Sequence, residues 1–354
     1  MNTHLPTMPA RLLGLGTAVP PHKHPQDLVK IVAARLFGAR YPDFERIARA
    51  FTNSGIETRY SVVPTEWFET SKNWPARTAA YLEGATALFI AAAQQALDAS
   101  GLKVEEIDTI VTISSTGIAT PTLEARAMLQ MNFRSDVQRV PVFGLGCAGG
   151  VTGLSLAARL ARTAPGSKVL LVCVEACTLS FRADRLQKAD IIATVLFGDG
   201  AAAACLSTSG GDGVSFGVGS EHTWPDTLPI MGWDVDNDGF GVVFDRSIPD
   251  FVKHNFAAAV AATVKGMGME LAEVTRMICH PGGAKVVEAI EGALHLEQGS
   301  LDHEREVLRR FGNMSAPTAL FVLQRVLEAG TAGDMLMTAL GPGFTTSMLP
   351  IQLH

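Results

Sequence analysis

Apolar positions along this chain fall into two recurring patterns, a short branched run and a longer stretch at helical spacing. Val137 to Phe143 has the composition of a strand, and Val151, Leu154, Leu156 and Leu160, with alanines between them, form a helix behind it. The strand Met277-Ile278-Cys279 leads through a turn into a helix from Ala284 to Leu294, and a further helix runs from Ala319 to Leu327. Strands and helices in alternation predict mixed, mostly parallel sheets covered by helices.

The pattern is laid down twice. Phe89-Ile-Ala-Ala-Ala continues as helix to Gly101, and Glu106-Ile-Asp-Thr-Ile-Val-Thr then runs into Ser114-Ser115. In the second half Phe256-Ala-Ala-Ala-Val continues to Gly268, and Glu273-Val-Thr-Arg-Met-Ile-Cys leads into His280. These segments align without a gap, and Lys168-Val-Leu-Leu-Val matches Asp334-Met-Leu-Met-Thr at nearly the same offset. The expected organisation is a duplicated α/β body with halves at residues 1–220 and 221–354. Their join falls in the Gly- and Asp-rich stretch between Ser207 and Asp238. Ligands in such architectures gather where strand ends meet helix starts, which directs attention to Cys147 and His280.

Composition narrows the class. With 354 residues, 47% hydrophobic and 18% charged, the chain can bury a large core and is not disordered. A net charge of −6 without any Lys/Arg run argues against a nucleic-acid partner. The N-terminus lacks a signal-peptide pattern, and no apolar run is long enough to span a bilayer, so no stable membrane insertion is expected. Five cysteines with no CxxC pair fit a reducing cytoplasm better than a disulfide framework or a zinc site.

Cys147 lies in Gly144-Leu145-Gly146-Cys147-Ala148-Gly149-Gly150, on a strand-to-helix elbow. Free N–H groups and the positive dipole end of a helix favour a thiolate there, so Cys147 is a candidate nucleophile. The alternative is a small buried hydrophobe. His280 precedes Pro281-Gly282-Gly283 at a strand end, where an imidazole can donate a hydrogen bond or exchange a proton. A histidine that merely satisfies a loop is the plainer reading. Asn313, in Phe311-Gly312-Asn313-Met314-Ser315-Ala316-Pro317-Thr318, either caps the following helix or serves as a second neutral donor for an enolate or thioester oxyanion. Cys, His and Asn in this order also occur in papain-like proteases, but the local signature of those enzymes around the cysteine is missing.

Six motifs in order resemble the chalcone synthase-like, or type III, polyketide synthases of the thiolase-fold superfamily. They are the Cys147 elbow, Glu175 through Arg182, Leu196-Phe197-Gly198-Asp199-Gly200, His280-Pro-Gly-Gly, Gly312-Asn313-Met314-Ser315 and Gly341-Pro342-Gly343. The resemblance covers nearly the whole chain and implies a thiolase fold: a duplicated αβαβα layered architecture with two mixed, mostly parallel sheets. It also implies that Cys147 takes an acyl group from a CoA starter with help from His280, held as its imidazolium partner. His280 and Asn313 would then stabilise the enolate formed when malonyl-CoA loses CO2, and that carbanion would attack the acyl thioester. No metal or other cofactor is implied beyond the CoA substrates. The alternative is a ketoacyl-synthase III-like enzyme that condenses once with an acyl-carrier-protein substrate. A third reading is a non-catalytic partner subunit, which the presence of all three residues disfavours.

The same resemblance assigns a pocket. Phe197 matches one gate phenylalanine, and Val242 stands where the second would be, implying a wider gate than in plant enzymes. Cavity-wall positions fall on Ser115, Cys177, Ser180, Gly232 and Ser315, all small, which favours a long or bulky starter and an alkylpyrone or alkylresorcinol product. Arg46 and Arg49 match the CoA-phosphate helix, whereas a family lysine is Asn53 here. Thr120 matches a loop that reaches into the neighbouring subunit's cavity, implying a homodimer.

Overall fold

Strand alternation decides which side chains face which layer. In Val169–Ala176 the residues Val169, Leu171 and Cys173 face one core, while Leu170, Val172, Val174 and Ala176 face another. Gly333–Gly341 divides in the same way, with Met335, Met337 and Ala339 on one side and Leu336 and Leu340 on the other. This period of two gives each half of the sheet two apolar faces, and both must be covered. The computed structural model describes residues 8–41, 43–182, 185, 187–210 and 213–353.

The cover is helical. Trp74–Ser100 lies over the outer face of the first half, and Ile248–Gly266 with Ala284–Ala293 covers the outer face of the second. Between the two halves run Gly149–Thr163 and Ala316–Glu328, whose side chains share one core with strands of both halves. The result is the five-layer αβαβα arrangement that the family resemblance implies. Phe89 and Phe256, the aligned phenylalanines of the two copies, are fully buried, each worth roughly 1.5–3 kcal/mol of burial. Gly101 and Gly268, also aligned, both end their segments with positive φ, 69° and 71°.

Within the first half, Ala10–Ala18, Thr109–Ile113, Gln138–Val142 and Val169–Ala176 run one way and Asp199–Ser207 runs against them. Within the second, Val214–Phe216, Ser220–Thr223, Arg276–Cys279 and Gly333–Gly341 share a direction against Thr345–Leu353. The two expected sheets are joined into a single ten-stranded one, because Val214–Phe216 pairs with Ala10–Ala18 on one side and Thr345–Leu353 on the other. A separate two-stranded hairpin, Met231–Asp236 and Gly239–Phe244, stands off this sheet and closes over the Cys147 elbow. No helix among the described residues is long and apolar enough to cross a membrane.

Candidate active site

The elbow forms as its glycines predict. Gly146 adopts φ 49°, a left-handed value that a side chain disfavours, and opens the short turn Gly146–Ala148 that runs straight into the helix Gly149–Thr163. Ser115, at the end of the neighbouring strand, holds the loop by accepting from the N–H groups of Gly144 at 3.2 Å and Gly146 at 3.1 Å. Cys147 is left buried at the helix start, lining a cavity of about 40 Å³.

Asn313 links the other two expected residues. Its Oδ1 accepts from the N–H of Ser315 at 2.8 Å and lies 3.9 Å from Sγ of Cys147. Its Nδ2 donates to the carbonyl of Gly282 at 3.2 Å, two residues beyond His280. Its backbone forms a bridge with Phe197, with Asn313 N–H donating to Leu196 at 2.8 Å and Gly198 N–H donating to Asn313 at 3.0 Å. Of the two readings of Asn313, the cap of the last core helix does not hold. Ser315 occupies that position, at a strained φ of 59°.

His280 follows the strand Arg276–Cys279, is anchored by its N–H to Thr338 at 2.9 Å, and is almost wholly buried. Neither ring nitrogen has a hydrogen-bond partner among the described residues. A buried polar atom without a partner is rare and costly. His280 itself is not among the residues lining the Cys147 cavity, which it neighbours through Asn313 and Gly282. Burial lowers its pKa to about 3 and raises that of Cys147 to about 11, the latter against opposing hydrogen bonds from Ser315 and Asn313. Desolvation is the largest cause at both residues, and each group taken singly is held neutral.

Around Cys147 the structure brings together Ser115, Cys177, Phe197, Gly232, Val242 and Ser315. Ser180 is displaced: it lines an adjoining cavity of about 70 Å³ rather than that of Cys147, and its hydroxyl donates to the carbonyl of Cys177 at 2.7 Å. Thr120 lies exposed and is not among the residues lining its own chain's cavity. Val242 lines both the Cys147 cavity and the adjoining one. The hairpin register sets Trp233 opposite Val242, with its ring edge-on to Phe197 at 6.4 Å and its indole N–H bonded to the Ser115 carbonyl at 2.7 Å. Sequence reading missed Trp233 because only the hairpin pairing carries it to the Cys147 cavity.

A wide groove of about 810 Å³ approaches from the other side. Arg46 and Arg49 line it, joined by Lys188, Arg246 and Lys285, which come from two helices and a turn and carry no shared sequence signal. The groove includes Gly282, beside His280, and Phe244, which also lines the Cys147 cavity.

Behind the site lies Glu175, fully buried, accepting from the N–H of Ser115 at 2.9 Å and the hydroxyl of Thr116 at 2.8 Å. Burial raises its pKa to about 8. Asp199 is buried nearby, its pKa raised to about 6, and accepts from the Thr178 hydroxyl and the N–H groups of Thr178 and Val62.

The chain is similar to known proteins along nearly its whole length. The family model for chalcone and stilbene synthases, N-terminal domain, matches residues 2–210, and that for the C-terminal domain matches residues 218–352. A 1,3,6,8-tetrahydroxynaphthalene synthase of Streptomyces peucetius subsp. caesius is 38% identical, over 93% of this chain and 89% of its own length. A putative chalcone synthase of Bacillus subtilis (strain 168) is 31% identical, over 96% and 98%. The crystal structure of 1,3,6,8-tetrahydroxynaphthalene synthase from Streptomyces coelicolor A3(2), a bacterial type III polyketide synthase, superposes with a TM-score of 0.92 at 26% identity, covering 97% of this chain and 99% of that one. The chain belongs to the chalcone and stilbene synthase family and is a type III polyketide synthase.

Proposed function

We propose that this enzyme loads a starter with an apolar acyl tail from CoA onto Cys147 and extends it with malonyl units before ring closure. Sγ attacks the starter thioester, CoA leaves, and the thiol proton passes to His280. Malonyl-CoA then sets its thioester oxygen against His280 and the Nδ2 of Asn313. Loss of CO2 leaves an enolate on that oxygen, and each such donor is worth roughly 3–4 kcal/mol. The enolate carbon attacks acyl-Cys147, the carbon–carbon bond forms as the carbon–sulfur bond breaks, and the thiolate is released. Decarboxylation drives the step, so the reading calls for no metal, nucleotide or redox cofactor.

The observation that carries the starter class is the second cavity. It shares Cys177, Phe197 and Val242 with the Cys147 cavity and continues between Val29, Val32 and Phe68. An acyl tail threading past Phe197 would exchange water for this apolar lining. The five cations of the groove support binding of CoA phosphates. Exposed Thr120, with Ile118 and Phe143 also exposed beside the edge strand Gln138–Val142, supports a homodimer through that edge. The free-thiol state of all five cysteines supports a reducing, cytoplasmic setting.

The test is product analysis by mass spectrometry with malonyl-CoA and starters from acetyl-CoA to long-chain and aromatic acyl-CoA, with Cys147→Ala as control. Long-tail starters should be preferred, and Ala33→Phe, filling the second cavity, should cut their kcat/KM about tenfold or more while sparing acetyl-CoA. Tetrahydroxynaphthalene from malonyl-CoA alone would instead establish a second reading. The 38% identical relative and the small space over Cys147 support that one. Products that demand an acyl carrier protein would establish the single-condensation alternative.

A further inference from the structure

The hairpin over the active site has no ladder to the main sheet, so something else must hold it. Its inner surface supplies Met231, Gly232, Trp233, Val242, Val243 and Phe244 to the Cys147 cavity. Its tip carries three carboxylates at alternate positions, Asp234, Asp236 and Asp238. Facing them are two arginines from the segment that follows the cavity residues Cys177 and Ser180. Arg182 is almost fully buried, and its guanidinium reaches Asp236 at 3.0 and 3.3 Å and Asp238 at 3.1 Å. Arg185 stands 3.8 Å from both Asp234 and Asp236, and 3.7 Å from buried Asp190. Gly241, opposite Asp234 in the hairpin, leaves room for the Arg185 guanidinium that a Cβ would strike.

We infer that Arg182 and Arg185 form a clamp that fixes the hairpin, and that this clamp sets the size of the reaction cavity and hence which starters and chain lengths are accepted. The physical case rests on placement. Removing carboxylates from a guanidinium as buried as that of Arg182 is costly, so its pairing with Asp236 and Asp238 favours one position of the tip. The hairpin is short, so a shift of its tip is passed to Trp233 and Val242, which pair across its middle. Trp233 is itself held between the Ser115 carbonyl, Phe197 and Phe240, so its displacement opens the gate and loosens the elbow loop that Ser115 supports. Arg182 and Arg185 touch no substrate in this scheme; they are positioning residues. The inference rests on the Cys147 cavity being the condensation site.

The test compares wild type, Arg182→Gln, Arg182→Lys and the doubly substituted Asp236→Asn/Asp238→Asn enzyme. The last alters partly exposed tip residues and keeps the clamp testable if Arg182→Gln does not fold. Hydrogen exchange over residues 231–244 reports the clamp without reference to activity. Products from paired long and short starters report selectivity. We expect faster exchange in the hairpin and a roughly tenfold change in the long-to-short kcat/KM ratio or in the number of extensions. Arg182→Lys should fall between Gln and wild type, since a lysine keeps the charge without the planar fork. Faster exchange with an unchanged product profile and starter ratio would overturn the inference, as would unchanged exchange. A wild-type enzyme that makes no polyketide from any starter would sink the reading of the cavity, while the exchange data would still judge the clamp.

Discussion

Sγ of Cys147 lies 3.9 Å from Oδ1 of Asn313, and the other end of the same amide donates to the Gly282 carbonyl beside His280. One side chain therefore ties the elbow of the first half to the strand end of the second. The amide nitrogen carries two hydrogens, and the bond to Gly282 uses one, leaving one for an oxyanion.

Asn313→Ala should consequently slow malonyl-CoA decarboxylation by about 10²–10³-fold, the usual loss for one oxyanion donor. Acylation of Cys147 by a starter should fall far less. Release of CO2 and intact-protein mass measure the two steps separately. Equal losses in both would refute this division of labour.

Burial opposes a lone thiolate and a lone imidazolium alike, pushing Cys147 up to about 11 and His280 down to about 3. The proton transfer from Cys147 to His280 proposed above would form both charges together. In His280→Ala the thiolate must form alone, so alkylation of Cys147 by iodoacetamide should be slow near neutral pH and climb toward pH 11. The wild-type enzyme should react at lower pH. Identical pH profiles would show that His280 does not support the thiolate.

Glu175 gives a stability signature. Its pKa in the folded protein is raised from 4.5 to about 8, so between these values the folded state keeps a proton that the unfolded state has released. The contribution of this group is therefore fully present below the unfolded value and is lost as pH rises through the folded one. Glu175→Gln should melt at a temperature that gains on wild type as the pH is raised across this window. A constant difference in Tm from acid to mildly alkaline pH would contradict it.

The cations of the groove should act on binding and not on chemistry. Lys285→Ala and Arg246→Ala are each expected to raise KM for CoA thioesters about tenfold, the worth of a charge-assisted contact, with kcat nearly unchanged. Added salt should narrow the difference, and short pantetheine-free thioesters should show none. A kcat effect without a KM effect would place these residues elsewhere in the cycle.

The local pattern in this sequence was enough for the layers, the duplication and the elbow, because each rests on short-range rules. A period of two marks a strand, helical spacing marks its cover, and the glycines before Cys147 permit a tight turn into a helix. The aligned pairs Phe89 with Phe256 and Gly101 with Gly268 repeat because the same unit must bury the same face twice. Order along the chain also sufficed to bring Cys147, His280 and Asn313 into one expectation.

Tertiary structure alone decided the rest. Whether Cys147 is charged depends on how much water the surrounding layers exclude, and no local pattern reports that. Trp233 reaches the Cys147 cavity through a hairpin register, Ser180 is turned into the neighbouring cavity, and Lys188, Arg246 and Lys285 converge from separate parts of the chain. The carboxylates of the hairpin tip read as a polar turn until the fold sets Arg182 and Arg185 against them. These are contacts between residues far apart in the chain, and their energy depends on distance and desolvation, which only the folded arrangement fixes.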